Sequence, residues 1–359
     1  MLNSADFVKK LPFVSIVVPC RNEERFIENC LNSIIENDFP KERLEVLAVD
    51  GMSDDETRGA IKGFAKKYQW IRLIENPKRI TPVALNIGIR HAKGEIIIWM
   101  SAHNRYDKNY ISRCVESLEK YGADNVGGVM KTLPREDSFM AQAIVASLSH
   151  RFGVGNSYFR VQTNKPKWVD TVFGGCYRRE VFDRVGLFNE NLVRGQDMEF
   201  NLRLKKAGGK TLLVPDIVSY YYARSDIKSF WKHNFTNGVW AILPFLYSPI
   251  MPVSWRHLVP LVFVTTLLGS AFQGLFWTPF FYLFLVILGS YGLANLSASL
   301  QIALEKRNIR YMLAMPFVFG ALHFAYGLGS LWGLLKVLSS PLFWRRLFGL
   351  KKDLGKEKE

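Results

Sequence analysis

The sequence predicts an α/β domain, an open and mostly parallel sheet with helices on both faces, joined to an α-helical transmembrane region. Three observations predict it. Short β-branched runs alternate with segments of helical periodicity through the first half, the rhythm of strands joined by crossover helices. Charged residues then disappear from three long runs, Leu258–Trp277, Pro279–Ala303 and Tyr311–Leu335. Each is long enough for a hydrocarbon core of about 30 Å, which takes about 20 apolar residues. Finally, basic residues flank these runs: Arg224, Lys228, Lys232 and Arg256 before the first, Lys306, Arg307 and Arg310 between the second and third, and Arg345, Arg346, Lys351, Lys352, Lys356 and Lys358 after the third.

The elements follow in order. Val14–Val18 suits a buried parallel strand. Phe26, Ile27, Cys30, Leu31, Ile34 and Ile35 recur at helical spacing. Leu44–Val49 is a second strand ending at Asp50 and Gly51, and Ser53 with Glu56 reads as a capping box for the next helix. Ile71–Ile74 is a third strand, and Thr81-Pro82 opens a helix with proline in its first turn. Glu95–Met100 is a fourth strand ending in Ser101-Ala102-His103. Asp107 is expected to cap a helix reaching about Tyr121, and Val126–Met130 reads as a fifth strand. From Ser138 the alternation breaks, and residues 151–168 read as a loop over a site. A helix over Gln196–Ala207 is closed by Gly208-Gly209. Pro244, Pro249 and Pro252 interrupt the uncharged stretch Asn234–Ser254, which reads as interfacial or re-entrant. The expected organisation is a soluble domain over residues 1–230, an interfacial segment over 231–257, two to three membrane helices over 258–340 and a basic tail over 341–359.

The net charge of +15 admits nucleic acid or an anionic membrane as partner. Its placement beside the apolar runs favours the membrane, and no zinc-finger spacing or recognition-helix pattern supports nucleic acid. The four cysteines, Cys20, Cys30, Cys114 and Cys176, lack C-x-x-C spacing and read as reduced thiols in a core. Met1–Pro12 has no apolar core of a signal peptide, so the soluble half is expected in the cytoplasm, on a multi-pass protein of the cell membrane.

In open α/β sheets ligands bind outside the carboxyl ends of the strands. That singles out Pro19 to Glu23, Asp50 to Asp54 and Ser101 to His103. No G-x-G-x-x-G follows the first strand, which argues against a dinucleotide. Asp54, Asp55 and Asp107 suit helix capping. Asp50 differs, because it ends an apolar strand directly before Gly51, where backbone can approach a ligand.

Several motifs in a fixed order now point to a family. They are V-S-I-V-V-P-C-R-N-E-E (Val14 to Glu24), V-D-G-M-S-D-D-E-T (Val49 to Thr57), A-L-N-I-G (Ala84 to Gly88), K-G-E-I-I-I-W-M (Lys93 to Met100), G-G-C-Y-R-R-E-V-F (Gly174 to Phe182), G-L-F-N-E (Gly186 to Glu190) and Q-D-M-E-F-N-L-R-L (Gln196 to Leu204). Over residues 13–230 the chain resembles the inverting family 2 glycosyltransferases of the GT-A fold, and most nearly the membrane-bound succinoglycan, or exopolysaccharide, type.

The resemblance implies a nucleotide diphospho-sugar donor, UDP- or GDP-linked. Pro19, Arg21 and Glu23 would line the nucleotide pocket, Asp50 would hold the base, and Ser53 and Asp54 would lie near it. Arg79 and Asn86 would lie by the diphosphate or the pocket wall; a solvated arginine and a back-bonded helix asparagine are the alternatives. Asp197 would be the catalytic base, taking the acceptor hydroxyl's proton; a helix start favours its ionised form. Gly174, Gly175, Glu199 and Arg203 would orient acceptor or base, although Glu199 and Arg203 also suit a helical ion pair. Family members end the fourth strand with a carboxylate that holds Mn²⁺ or Mg²⁺. Here the triplet is Ser101-Ala102-His103, which leaves His103 as the metal ligand with Ser101 at the carboxylate's position. The diphosphate could instead meet Arg21, Arg79 or Arg105.

The join between the halves implies a reaction between a soluble donor and a membrane-held acceptor, a lipid-linked glycan. Lys232 or Arg224 would contact a lipid phosphate. No Q-x-x-R-W motif is present, so single transfer is expected rather than polymerisation. Two other readings stand beside this one: a polyprenyl-phosphate glycosyltransferase, and an inactive nucleotide-binding scaffold in a glycan-assembly complex.

Overall fold

The computed structural model describes residues 11–161, 163–248 and 255–348. Pro249, Pro252, the tail lysines and the first ten residues lie outside them. The chain divides into two compact units between Asp226 and Ile227, four residues before the boundary expected at 230.

Among the described residues the first unit contains nine strands: β1 (Val14–Cys20), β2 (Leu44–Asp50), β3 (Ile71–Glu75), β4 (Ile96–Trp99), β5 (Asn104–Tyr106), β6 (Asn125–Pro134), β7 (Lys167–Val169), β8 (Gly175–Arg178) and β9 (Thr211–Ala223). They form one sheet in the order β3-β2-β1-β4-β8-β6-β9-β5, with β7 paired to β9. The parallel arrangement expected from the sequence holds through β3, β2, β1 and β4. Past β4 the sheet is mixed: β8 runs antiparallel to β4 and β6, while β6 and β9 are parallel.

The alternation of β1 explains how both faces are covered. Val14, Ile16, Val18 and Cys20 point to one side, where they meet α1 (Ile27–Ile35), Ile61 of α2 (Thr57–Lys67) and the buried residues of α4 (Tyr110–Tyr121). Val17 points to the other side, against α3 (Thr81–His91), α8 (Glu180–Val185) and α9 (Gln196–Lys206). Period-two side chains on a strand make this two-layer packing automatic. All four cysteines are buried and free, as the composition suggests, and burial pushes the Cys20, Cys30 and Cys176 thiols well up.

Three local expectations are corrected. Ser53 and Glu56 form no capping box: α2 begins only at Thr57, because Ser53 is committed to Asp50. Asp107 does not cap α4 through its side chain; its backbone carbonyl accepts from Tyr110 N, and Asn109 holds the cap position. The loop expected over residues 151–168 carries two short helical turns and the start of a strand among its described residues. Ser138 caps α5 (Phe139–Ser149) by accepting from Ala141 N at 3.1 Å, and the short turns α6 (Arg151–Val154) and α7 (Tyr158–Val161) follow before β7.

The second unit holds α10 (Ile227–Ile242), α11 (Val259–Gly274), α12 (Thr278–Glu305), α13 (Arg310–Leu338) and the short α14 (Pro341–Leu347). Three helices, over Trp255–Gly274, Thr278–Glu305 and Arg310–Leu338, are long and apolar enough to cross a membrane. Their outer faces carry large exposed apolar side chains such as Leu293 at 72% and Phe317 at 76%, which suits a hydrocarbon solvent rather than water.

Gly320, Gly327, Gly329 and Gly333, with Pro316, are residues that could let the third run break or re-enter. Instead α13 is continuous through Pro316, and the glycines serve close packing. A Cβ on Gly329 would stand 2.0 Å from the Phe235 carbonyl oxygen, and one on Gly238 2.0 Å from that of Tyr326. Ser330 donates to the Gly238 carbonyl at 3.2 Å. Small residues that let two backbones meet are the usual means of joining helices in lipid. Helix α10, expected as a separate interfacial segment, is therefore fastened to α13. His323 packs within the helix bundle, stacked on Phe319 and 3.1 Å from the Tyr291 hydroxyl.

Candidate active site

The loops after β1 and β2 are stitched into one surface. Asn22 N donates to Ser53 Oγ at 2.9 Å, Asp54 N to Asn22 Oδ1 at 3.2 Å, and Glu23 N to Thr57 Oγ1 at 2.7 Å. Asn22, Met52 and Arg79 hold left-handed backbone, with φ of 55°, 56° and 61°. They sit in the loops following β1, β2 and β3, and such strain concentrates at functional sites.

Pro19 lies in β1 opposite Val49 and is half-buried. Arg21 is exposed, with its stem over Gly51, so the space expected there for a ligand is partly occupied. Asp54 and Arg79 are exposed. Asp50 is fully buried. It accepts from Ser53 N at 3.1 Å, from the Ser53 hydroxyl, and from Arg58 Nη1 at 3.0 Å. Arg58 also reaches Glu75 at 2.5 Å. Asp50 thus organises Ser53 and Arg58, and a direct hold on a base requires one of them to move aside.

Asn86 does not back-bond to its own helix turn. Its amide donates to the Phe188 carbonyl at 2.9 Å and to Glu190 at 3.1 Å, and its oxygen accepts from Phe188 N. It tethers α3 to the loop before α9. These bonds, then the Lys78 ammonium, hold the Glu190 carboxyl below its ordinary value.

Past β4, Ser101 Oγ lies 3.2 Å from His103 Nε2, and His103 Nδ1 lies 3.1 Å from Glu23 Oε1. A carboxylate from the loop after β1 therefore stands near the position that lacks one after β4. Among the described residues no group of three or more His, Cys, Asp or Glu side chains is placed to hold an ion. Glu23 and His103 supply two donors, an oxygen and an imidazole nitrogen, with the Ser101 hydroxyl beside them. Such a mixed set suits Mn²⁺ better than Mg²⁺, provided that diphosphate oxygens or water complete the shell.

Asp197 opens α9, after Gly195 in left-handed backbone at φ 74°. It is half-buried, and its Oδ1 accepts from Met198 N at 2.9 Å. Burial raises its carboxyl above the ordinary value, against the lowering effect of that bond. The expected depression by the helix start is outweighed, and a raised carboxylate is the stronger base. Asp197 also acts on the buried Tyr177 hydroxyl, which lies 3.4 Å from the Gly174 carbonyl. Gly174, at φ 69°, and Gly175, at φ 139°, cross beside Trp99 at the end of β4. The double glycine therefore links the end of β4 to Tyr177, on which Asp197 acts.

Glu199 and Arg203 take the structural alternative. Arg203 grips Glu199 through two bonds of 2.9 and 3.0 Å and donates to the Val185 and Leu187 carbonyls. Arg203 thereby ties this face of α9 to the end of α8 at Val185. Lys232 is exposed on α10 in the second unit.

A cluster of arginines, of which the sequence singles out Arg224 alone, surrounds Tyr221 and Phe26. Arg160 stacks its guanidinium over Tyr221, 5.4 Å from the ring centre, and His103 meets the same ring edge-on at 5.8 Å. Arg135 lies 4.8 Å over Phe26 and donates to the Tyr222 carbonyl at 3.3 Å. Burial, then Arg224, hold both the Arg135 and the Arg194 guanidinium below their ordinary value, and burial does the same to Arg160. The available signal was Y-Y-Y-A-R (Tyr220 to Arg224) together with Arg194 three places before Asp197.

A family model described as Glycosyl transferase family 2 matches residues 15–186. The chain is 29% identical to the dolichyl N-acetyl-alpha-D-glucosaminyl phosphate 3-beta-D-2,3-diacetamido-2,3-dideoxy-beta-D-glucuronosyltransferase of Methanococcus voltae, over 90% of this chain and 98% of that protein. It is 27% identical to the succinoglycan biosynthesis protein ExoA of Rhizobium meliloti (strain 1021), over 95% and 96%. In fold it is similar to the mannosyltransferase PcManGT from Pyrobaculum calidifontis, solved with GDP-Man and Mn²⁺, with a TM-score of 0.59 at 22% identity over 90% of this chain and 88% of that one.

Proposed function

The chain belongs to glycosyl transferase family 2, and from that premise we propose that it moves a sugar, with inversion, from a nucleotide diphospho-sugar to a hydroxyl of a lipid-linked saccharide in exopolysaccharide or surface-glycan synthesis. The observation that carries this reading is Asp197 at the start of α9, raised by burial and acting on Tyr177, whose hydroxyl lies 3.4 Å from the Gly174 carbonyl. The Methanococcus voltae relative supports a saccharide acceptor on a lipid phosphate, and ExoA supports an exopolysaccharide.

In the transfer, the acceptor oxygen attacks the anomeric carbon while the bond from that carbon to the donor phosphate oxygen breaks. The acceptor's proton passes to Asp197, and the nucleoside diphosphate leaves with the electron pair. Pro19, Arg21, Ser53, Asp54 and Arg79 line the donor side, and Asp50 fixes Ser53 and Arg58 for the base. Glu23 and His103 would hold a divalent cation, which when bound neutralises charge on the leaving diphosphate. Gly174 and Gly175 keep the floor between donor and base narrow, and Lys232 meets the acceptor's headgroup. The catalytic unit faces the cytoplasm, and the helices of the second unit lie in the membrane.

The test uses the full chain in nanodiscs with a lipid-linked saccharide. Nucleoside diphosphate release is measured from a panel of UDP- and GDP-sugars, with and without Mn²⁺. Acceptor-dependent release from one donor is the expected result. Absence of release from every donor, with nucleotide still bound, overturns the reading.

A further inference from the structure

A polar network lies inside the first unit, under the helix that carries Asp197. Asn125 of β6 and Asn201 of α9 are fully buried, and Tyr177 of β8 nearly so. Asn201 is the hub. Its Oδ1 accepts from Asn125 Nδ2 at 2.9 Å and from the Tyr177 hydroxyl at 3.4 Å, and its Nδ2 donates to Thr171 Oγ1 at 3.1 Å. Asn125 Oδ1 has no hydrogen-bond partner among the described residues. Buried amides with an unused acceptor cost stability, and a network of them holds its members in one arrangement.

What this network fixes is the first turn of α9. Asp197 and Asn201 stand four positions apart and so share a face of the helix. A helical side chain leans back over the turn before it, so the hydroxyl that touches Asn201 is brought to the turn that carries Asp197. The two acceptors of that hydroxyl, Asn201 Oδ1 and the Gly174 carbonyl, both lie at 3.4 Å. An O–H donor at its usual strength sits at about 2.7 to 2.8 Å. The proton is therefore loosely shared and can turn to a stronger acceptor, which an ionised carboxylate is. The hydroxyl also keeps its proton, because burial, then the Asp197 carboxylate, push its titration far up. The ring is pinned apart from the hydroxyl, by Phe182 and Phe200 at 5.4 and 5.3 Å between ring centres. Glu199 pairs with Arg203, Lys205 with Asp170 and Arg184 with Asp124, so these charges are spent elsewhere. Arg194, three places before Asp197, contributes alike to the wild type and to a variant at Tyr177.

We infer that Tyr177 is a positioning residue for Asp197: its hydroxyl, carried to the first turn of α9 by Asn125, Asn201 and Thr171, donates to one oxygen of the ionised carboxylate and fixes the other toward the acceptor. The inference rests on the function proposed above. Tyr177 keeps its own proton throughout, and the acceptor's proton ends on Asp197.

The experiment is Tyr177→Phe in the full chain in nanodiscs, which keeps the ring and removes the donor. Acceptor-dependent release of nucleoside diphosphate is followed across pH. A carboxylate that loses a hydrogen bond to its ionised form titrates higher. The acid limb of kcat is therefore expected to move up by about one pH unit, and kcat at neutral pH to fall about tenfold, with KM for the donor sugar unchanged. A merely structural role lowers the amount of active protein and leaves the limb in place, and an unmoved limb overturns the inference. Should Tyr177→Phe not fold, Thr171→Val loosens Asn201 instead. It is expected to move the limb in the same direction, and an unmoved limb overturns the inference there too.

A second measurement needs no turnover. Tyr177→Phe, Asp197→Asn and the double variant are melted at neutral pH and at pH 3. The two changes are expected to be coupled at neutral pH, where Asp197 is ionised, and less so at pH 3. Additive changes at both overturn the inference. The two proposals fail separately. Coupled melts, with no sugar donor turned over by the wild type, remove the transferase reading alone. Wild-type turnover with an unmoved limb removes the role of Tyr177 alone.

Discussion

Glu23 Oε1 lies 3.1 Å from His103 Nδ1, across 80 positions of sequence. The pair forms because β1 and β4 are neighbours in the sheet, so the loops that follow them emerge side by side. It places a carboxylate near a motif whose own first residue is a serine.

If this pair holds the cation, its donors should tune metal affinity in opposite directions. Glu23→Gln is expected to weaken Mn²⁺ binding in the presence of nucleoside diphosphate by about tenfold or more. Ser101→Asp, which adds an oxygen donor beside His103, is expected to tighten it. Electron paramagnetic resonance titration of Mn²⁺ reads both, and two wild-type curves would remove the pair from the metal site.

Asp197→Asn should lower kcat by roughly 10² to 10⁴, the usual worth of general-base catalysis, while leaving nucleotide affinity intact. Because burial raises the Asp197 carboxyl, the ionised form opposes folding at neutral pH. The variant should therefore melt at the same temperature as the wild type or higher. Full activity in this variant would remove Asp197 from the chemistry.

The same shift fixes two pH dependences. The base works only when ionised, so turnover should fall as pH drops through a value above the ordinary aspartate range. The variant should lack that limb. For stability the sign is the reverse of the usual carboxylate case. The Asp197 contribution is fully present below the unfolded value and is lost as pH rises through the raised folded value. Melting temperatures of wild type and variant, compared from pH 3 to 7, should converge at the acid end.

Glu199→Gln tests the structural role of the other α9 carboxylate. Glu199 is 2% exposed and its partner Arg203 is tied to two backbone carbonyls. Breaking such a pair costs roughly 3 kcal/mol. A lowered melting transition is expected, with KM for the donor unchanged in the protein that remains folded. A raised KM for the acceptor without loss of stability would restore the acceptor-orienting role.

In the second unit, Gly329→Leu should separate α10 from α13, since even a Cβ would meet the Phe235 carbonyl at 2.0 Å. Gly320→Leu is the matched control, because nothing lies within 4 Å of a Cβ there. Thermal unfolding in detergent should drop for the first and hold for the second.

What the sequence made legible follows from where local pattern suffices. The strands β1 to β4 and their helices were readable, because buried parallel strands are apolar runs and their helices have a periodic face. So were the helix that carries Asp197 in its first turn and the loops after β1 and β2, which are contiguous motifs. The mixed part of the sheet was not, since pairing of β8 with β4 and β6 is decided by tertiary contact. Ser53 looked like a cap and became a ligand of Asp50, because the buried carboxylate needed donors more than the helix needed a cap. Asn86, Glu23 with His103, and the arginines around Tyr221 all depend on partners tens of residues away. No spacing rule reports such meetings.

The four buried thiols carry a practical consequence. At 0% to 6% exposure, and with three of them pushed away from the thiolate form, they should be nearly silent to maleimides in the folded protein. A single cysteine introduced at an exposed position such as Asp54 or Lys232 would then be the one bright address on a dark background. A fluorophore there could follow ligand capture in one molecule without first stripping the native cysteines from its core.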